Sequence, residues 1–148
     1  MADHEQLPWD YYEELVRDVL QTLGEGLDSF EVHHRKKLDG LDGQYEVDVT
    51  ASFMALDVRF EVLCECKNWR SPVQRRDIQI LHARLQSTGA HKGILFSTSG
   101  FQAGAVEYAR AHKIGLIRAT PHGAQWRVGR NPGGGGGMSD YDVVNTLP

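Results

Sequence analysis

The chain has only two cysteines, Cys64 and Cys66, which stand two residues apart. That is too few for a disulfide framework, and a Cys-x-Cys zinc site would need two further ligands at suitable spacing. Both are read as buried thiols of a reducing compartment. No run of residues approaches the ~18 apolar positions of a membrane span, so no membrane partner is expected. The start, Met1-Ala2-Asp3-His4-Glu5, lacks the basic region of a signal peptide, and the expected location is cytoplasmic. There is no internal repeat, no Walker loop, and no serine or cysteine nucleophile arrangement. P-loop nucleotide chemistry and covalent hydrolysis are thereby excluded, and no small-molecule cofactor beyond a metal is expected. From Asn131 onward helix and strand patterns cease: Pro132 is followed by five glycines at 133–137, so 131–148 reads as a Gly-rich linker and flexible tail. Residues 1–130 are left as one domain, long enough to bury a core.

Charge is short overall and unevenly placed. The net charge is -4, an unpromising value for a nucleic-acid protein. Met1 to Glu31, however, holds nine acidic residues and one basic, whereas Lys67 to Arg130 holds eleven basic and two acidic. Such asymmetry suits a basic face set against phosphates, or else a sorted solvated surface.

The chain is organised around Gln44 to Trp69. Tyr45, Val47, Val49, Ala51 and Phe53 alternate with Glu46, Asp48, Thr50 and Ser52. Phe60, Val62, Cys64 and Cys66 alternate with Arg59, Glu61, Leu63 and Glu65. Period two means two strands, each with one buried face. With Leu56 and Asp57 as the two central residues of a hairpin, Asp48 falls opposite Glu65, and Glu46 opposite Lys67. Opposed residues share a face at about 4.5–5.5 Å between Cβ atoms, so Asp48, Glu65 and Lys67 would form one patch. Opposed carboxylates repel unless something positive lies between them, and a divalent cation with oxygen ligands meets that need. A surface ion-pair cluster is the plainer alternative.

Asp48, sixteen intervening residues, then Glu65-Cys66-Lys67 resembles the PD-(D/E)xK nuclease superfamily, and within it the Mrr-type restriction endonuclease domain. The resemblance extends over roughly Tyr11 to Thr120. It also rests on Tyr12-Glu13-Glu14-Leu15-Val16 before Leu23-Gly24, on Gly40 and Gly43 ahead of Glu46-Val47-Asp48-Val49, and on Lys92-Gly93-Ile94-Leu95-Phe96-Ser97-Thr98-Ser99-Gly100-Phe101. Val47, rather than proline, precedes Asp48. The resemblance implies an α/β restriction-endonuclease-like αβββαβ core, with a central mixed sheet flanked by helices. It implies Mg²⁺-dependent hydrolysis of DNA phosphodiester bonds, with Mn²⁺ able to substitute. Asp48 and Glu65 would hold the metal with the Cys66 backbone carbonyl, and Lys67 would orient water or stabilise phosphoryl charge. Glu13 matches the family's acidic residue after an aromatic and would add a metal or water contact. Equally, it is a first-turn carboxylate favoured by the helix dipole. A catalytically silent nucleic-acid-binding or assembly module, including a homodimer, is the competing function.

Around this core, Trp9–Leu23 has helical spacing, with Pro8 at its start and Gly24 as stop. Phe30 to Leu38 reads as a strand, followed by a turn cluster at 38–43. Ser71-Pro72-Val73-Gln74 reads as the cap, first helical position and capping-box partner of a helix running to about Ser87. Gln74 and Asp77 lie on its apolar stripe at the end nearest Lys67, while Arg75, Arg76 and Arg84 lie toward other faces. Gln74 and these three arginines are the candidate DNA contacts. Gly93–Ser97, a helix capped at Ser99, Ile114–Ala119 and Gln125–Val128 complete the expected order.

Overall fold

The computed structural model describes residues 7–129, and the expected linker and tail at 131–148 lie outside the described residues. Helix α1 spans Trp9–Leu23, from Pro8 to Gly24, as its spacing predicts. A Cβ on Gly24 would lie 2.5 Å from the Phe30 ring, so any larger residue here would have to push that ring aside.

Strands β1 (Asp28–Gly40), β2 (Gly43–Ala55) and β3 (Val58–Lys67) form an antiparallel meander. Leu56 and Asp57 are both left-handed, with φ of 52° and 59°, as a primed two-residue hairpin turn requires. For non-glycine residues this costs roughly 1–2 kcal/mol each. Unbroken pairing from Ala55↔Val58 to Val49↔Cys64 and the Phe53–Phe60 stack at 5.4 Å offset it.

Beyond the meander come α2 (Arg75–Thr88), β4 (Lys92–Ser97), α3 (Ala103–His112), β5 (Gly115–Thr120) and β6 (Gly123–Val128). The six strands lie in sequence order; β3, β4 and β5 run parallel, and β6 returns antiparallel. The expected mixed sheet flanked by helices is what forms. Two like-handed crossovers put α2 and α3 on one face, and α1 covers the other. Tyr12, Val16 and Val19 pack with Val49, Cys64, Cys66 and Phe96. Ile78, Leu81, Ala105 and Ala109 pack with Leu63, Leu95 and Leu116. Each fully buried aliphatic side chain contributes about 1.5–3 kcal/mol. Both thiols are buried and free, as expected.

Three expectations need correction. The strands are not buried on one face only: Leu63 is as fully buried as Cys64, because helices cover both faces. The alternation of β2 also breaks: Val49 packs on the α1 side but Val47 packs on the α2 side. β1 changes face in step, with Val32 toward α1 and Leu38 toward α2, across a left-handed Arg35 (φ 50°). Finally, helix α2 is capped by Gln74, not Ser71, and α3 by Gln102, not Ser99. Backbone bonds tie Val73 to Gly100 and Gln102, and the Ser99 hydroxyl donates to the Ser71 carbonyl. The two stretches therefore stay extended to hold each other, and each helix starts later.

Candidate active site

The site lies where β2 leaves β3. Pairing between them ends at Val49↔Cys64, whereas β3 stays paired with β4 as far as Lys67↔Ser97. The Cys66 N–H, released from the ladder, donates instead to Asp48 Oδ2 at 2.9 Å. That bond draws the Asp48 carboxylate to the edge of β3 and leaves a notch beside it. The expected hairpin register holds only as far as Val49↔Cys64, one step short of Asp48 and Glu65, and Glu46 is exposed and pairs with Lys37 rather than reaching Lys67. β2 has already peeled away at that point.

Glu65 points to the α2 face and is only 7% exposed. Burial, and next the Asp48 charge, push its carboxyl up to about 7, against the pull of Arg84 and Lys67. Arg84 Nη1 lies 2.6 Å from Glu65 Oε1, so Arg84 does not lie toward an outer face as the helical projection suggests. Its long side chain reaches back around α2. Lys67 shares the Glu65 face of β3, and its Nζ rests 4.7 Å from the centre of the Trp69 ring. Such cation–π contacts contribute about 0.5–1 kcal/mol when exposed, enough to position an ammonium without neutralising it.

Cys66 can serve a metal only through its backbone. Its side chain is buried on the α1 side, where burial and then Asp48 raise its thiol pKa far above the ordinary value. Glu13 is also on the α1 side. It is buried, its Oε2 lies 3.3 Å from Arg35 Nη2, and its Oε1 has no hydrogen-bond partner among the described residues. Arg35 also bonds Asp10 at 2.7 Å. Among the described residues, no hydrogen bond or ion pair joins Glu13 to Asp48, Glu65 or Lys67.

Of the candidate DNA contacts, Gln74 and Arg76 line a groove of about 480 Å³ with Trp69, Arg70 and Asp77. This groove adjoins Lys67 through Trp69. Arg75 instead lies over the Tyr108 ring of α3 at 5.2 Å. Arg35, Arg84 as a carboxylate partner, and Trp69 were not singled out as site residues from the sequence. Trp69 follows Lys67 by two and could have been found by parity; the others depend on tertiary approach.

Among the described residues, no group of three or more His, Cys, Asp or Glu side chains is arranged to hold a metal. Mg²⁺ needs only one or two carboxylates and keeps several waters, so Asp48 and Glu65 suffice in number. The donor set fits as well: Glu65 is raised first by burial and then by the Asp48 charge beside it, and a divalent cation between the two oxygen-donor carboxylates would relieve that second contribution.

A parallel–antiparallel sheet with an acidic pair and a lysine at the point of strand divergence defines a nuclease-like α/β domain. The restriction endonuclease family model Mrr_cat matches residues 4–120, and the chain belongs to that family. It is 29% identical over 102 residues to the type IV methyl-directed restriction enzyme EcoKMrr of Escherichia coli (strain K12). That match takes in 68% of this chain and 31% of the relative, so the chain corresponds to about a third of that protein. Among solved structures, a protein of unknown function, AF1548, superposes with a TM-score of 0.56 at 20% identity, covering 70% of this chain and 54% of that one. The DNA modification-dependent restriction endonuclease AspBHI aligns with a TM-score of 0.39 at 17% identity, over 81% of this chain and 35% of its own. No helix among the described residues is long and apolar enough to cross a membrane.

Proposed function

We propose that the chain hydrolyses phosphodiester bonds of DNA at Asp48, Glu65 and Lys67, with Mg²⁺ as cofactor and Mn²⁺ able to replace it. The observation that carries this reading is the partly enclosed Asp48 beside the buried Glu65 where β2 parts from β3, with Lys67 on the same face of β3 as Glu65. Asp48, Glu65 and the Cys66 carbonyl would hold the cation, which would supply Lewis-acid stabilisation of the phosphoryl group. Asp48 is oriented for this by the Cys66 N–H. Lys67, held at the rim by Trp69, presents its ammonium to the phosphoryl oxygens, where negative charge grows in the transition state. Arg70 and Arg76, in the adjoining groove, would guide the backbone into the notch.

The deciding experiment is single-turnover cleavage with Mg²⁺, Mn²⁺ or EDTA over a substrate panel. Methylated duplex is one arm, since a relative is named methyl-directed; unmethylated duplex, branched DNA and RNA are the others. Lys67→Ala should slow cleavage by about 10²–10³-fold while keeping most DNA affinity. A K67A variant that cuts as fast as the parent sinks the mechanism. If neither cuts but both bind, the chain is a binding module, a reading favoured by the engagement of Glu65 with Arg84.

A further inference from the structure

The acidic pair already has a counter-ion from within the fold. Arg84 reaches from α2 to place Nη1 2.6 Å from Glu65 Oε1, and the two side chains are only 29% and 9% exposed. The guanidinium also lies 5.6 Å from the centre of the Tyr45 ring. Tyr45 is itself fixed: its hydroxyl donates to Asp42 Oδ1 at 2.6 Å, and the same oxygen accepts the Ser87 hydroxyl. The Leu41 N–H adds a bond to the Ser87 carbonyl at 3.0 Å. The tip of the β1–β2 hairpin is thereby latched to the end of α2, and Arg84 sits between that latch and Glu65.

This placement conflicts with a metal at the same carboxylates. Arg84 takes one lone pair of Oε1 and leaves Oε2 open, so the competition is electrostatic: a divalent cation at this carboxylate would repel the guanidinium and weaken its hold on Glu65. The Tyr45 ring, already 5.6 Å from the guanidinium, would still hold the cation if the Glu65 bond were given up.

We propose that Arg84 is a displaceable counter-cation: it holds Glu65 in the metal-free protein, and a divalent cation entering at Asp48 and Glu65 releases it to a DNA phosphate. The inference rests on the metal-site reading given under Proposed function. It has a consequence beyond that reading. Metal releases a phosphate contact, so metal raises DNA affinity, and by thermodynamic reciprocity DNA raises metal affinity by the same factor.

The test uses the full chain, as parent, R84M and R84K. Mn²⁺ binding is measured by calorimetry without DNA. Duplex affinity is measured by fluorescence anisotropy in Ca²⁺ and in EDTA. R84M should bind Mn²⁺ about five-fold or more tightly than the parent and lose the gain in duplex affinity that Ca²⁺ gives the parent. R84K, with a shorter and more compact cation, should fall between them, and it carries the same comparison if R84M does not fold. Unchanged or weaker Mn²⁺ binding in the variants overturns the inference, since Arg84 would then be a fixed support of Glu65. D48N and E65Q separate the two levels. If they leave Mn²⁺ binding intact, or the parent binds none, the metal site falls and this proposal with it. If they abolish binding while R84M and R84K gain nothing, only the displacement is wrong.

Discussion

Glu13 and Glu65 are buried to nearly the same degree, at 4% and 7% exposed, and each faces one arginine, yet they lie under opposite faces of the sheet. Glu13 is tied to Arg35, whose other acid, Asp10, is exposed. Glu65 is tied to Arg84, and its neighbouring acid, Asp48, is partly enclosed and bound to the Cys66 N–H. The second carboxylate makes the difference. Around Arg35, Asp10 and Glu13 of α1 are joined to β1. Where Asp48 is held against β3, burial first and the Asp48 charge second outweigh Arg84 and Lys67, and the Glu65 pKa rises. What sets the Glu65 side apart is the second, partly enclosed carboxylate held next to the buried one.

The largest effect that tests this contrast is on cleavage. Glu65→Ala should lower single-turnover cleavage at least as far as Lys67→Ala, by about 10²–10³-fold, while Glu13→Gln stays within about ten-fold. An E13Q variant that loses as much as E65A would break the contrast and bring Glu13 into the site. Stability comes next. Arg35→Ala strands a buried carboxylate and should cost about 1–3 kcal/mol in urea unfolding. Arg84→Ala should cost much less near pH 7, because Glu65 can take up a proton instead. Equal losses would mean that Glu65 is not poised to protonate.

A smaller effect follows from the sign of the Glu65 shift. Its folded pKa, about 7, lies above the ordinary value of 4.5. The folded state therefore binds this proton more tightly. Its contribution to stability is complete below the ordinary value and is lost as pH rises through about 7. Glu65→Gln resembles the protonated form. In EDTA it should match the parent near pH 5 and exceed it near pH 8 by on the order of 1 kcal/mol or more. Thermal midpoints that run parallel across this range would contradict it. The smallest effect concerns the groove: Arg76→Glu should reduce the salt slope of duplex binding by about one. Arg75→Glu, with Arg75 already over Tyr108, should change it less.

Much of the fold was legible because local rules and the tertiary outcome agree. The α1 stripe runs to a glycine that lies against the Phe30 ring, and the Leu56-Asp57 turn sets the register that brings Val49 against Cys64, the step before Asp48 and Glu65. The helix starts after Ser71 and Ser99 were misplaced because those segments bond to each other across 28 residues, which no capping pattern records. Arg84 was assigned to an outer face because a helical projection places a Cβ, not the end of a long side chain.

The sequence alone determined the elements, the αβββαβ order, and the spacing that puts two carboxylates and a lysine on one stretch of hairpin. All of these depend on residues within a strand, a turn or a helix of one another, where periodicity and turn chemistry act directly. Only the tertiary structure decided that β2 leaves β3 at Asp48, that Arg35 and Arg84 divide the buried acids between them, and that Trp69 holds Lys67. Alternation assumes that a strand keeps its face, and β1 and β2 do not. They roll together at Arg35 and Asp48, because the hairpin tip is pulled onto α2 by Asp42, Tyr45 and Ser87. That pull comes from a helix more than 40 residues further along the chain, and it becomes visible only once the sheet and α2 are packed.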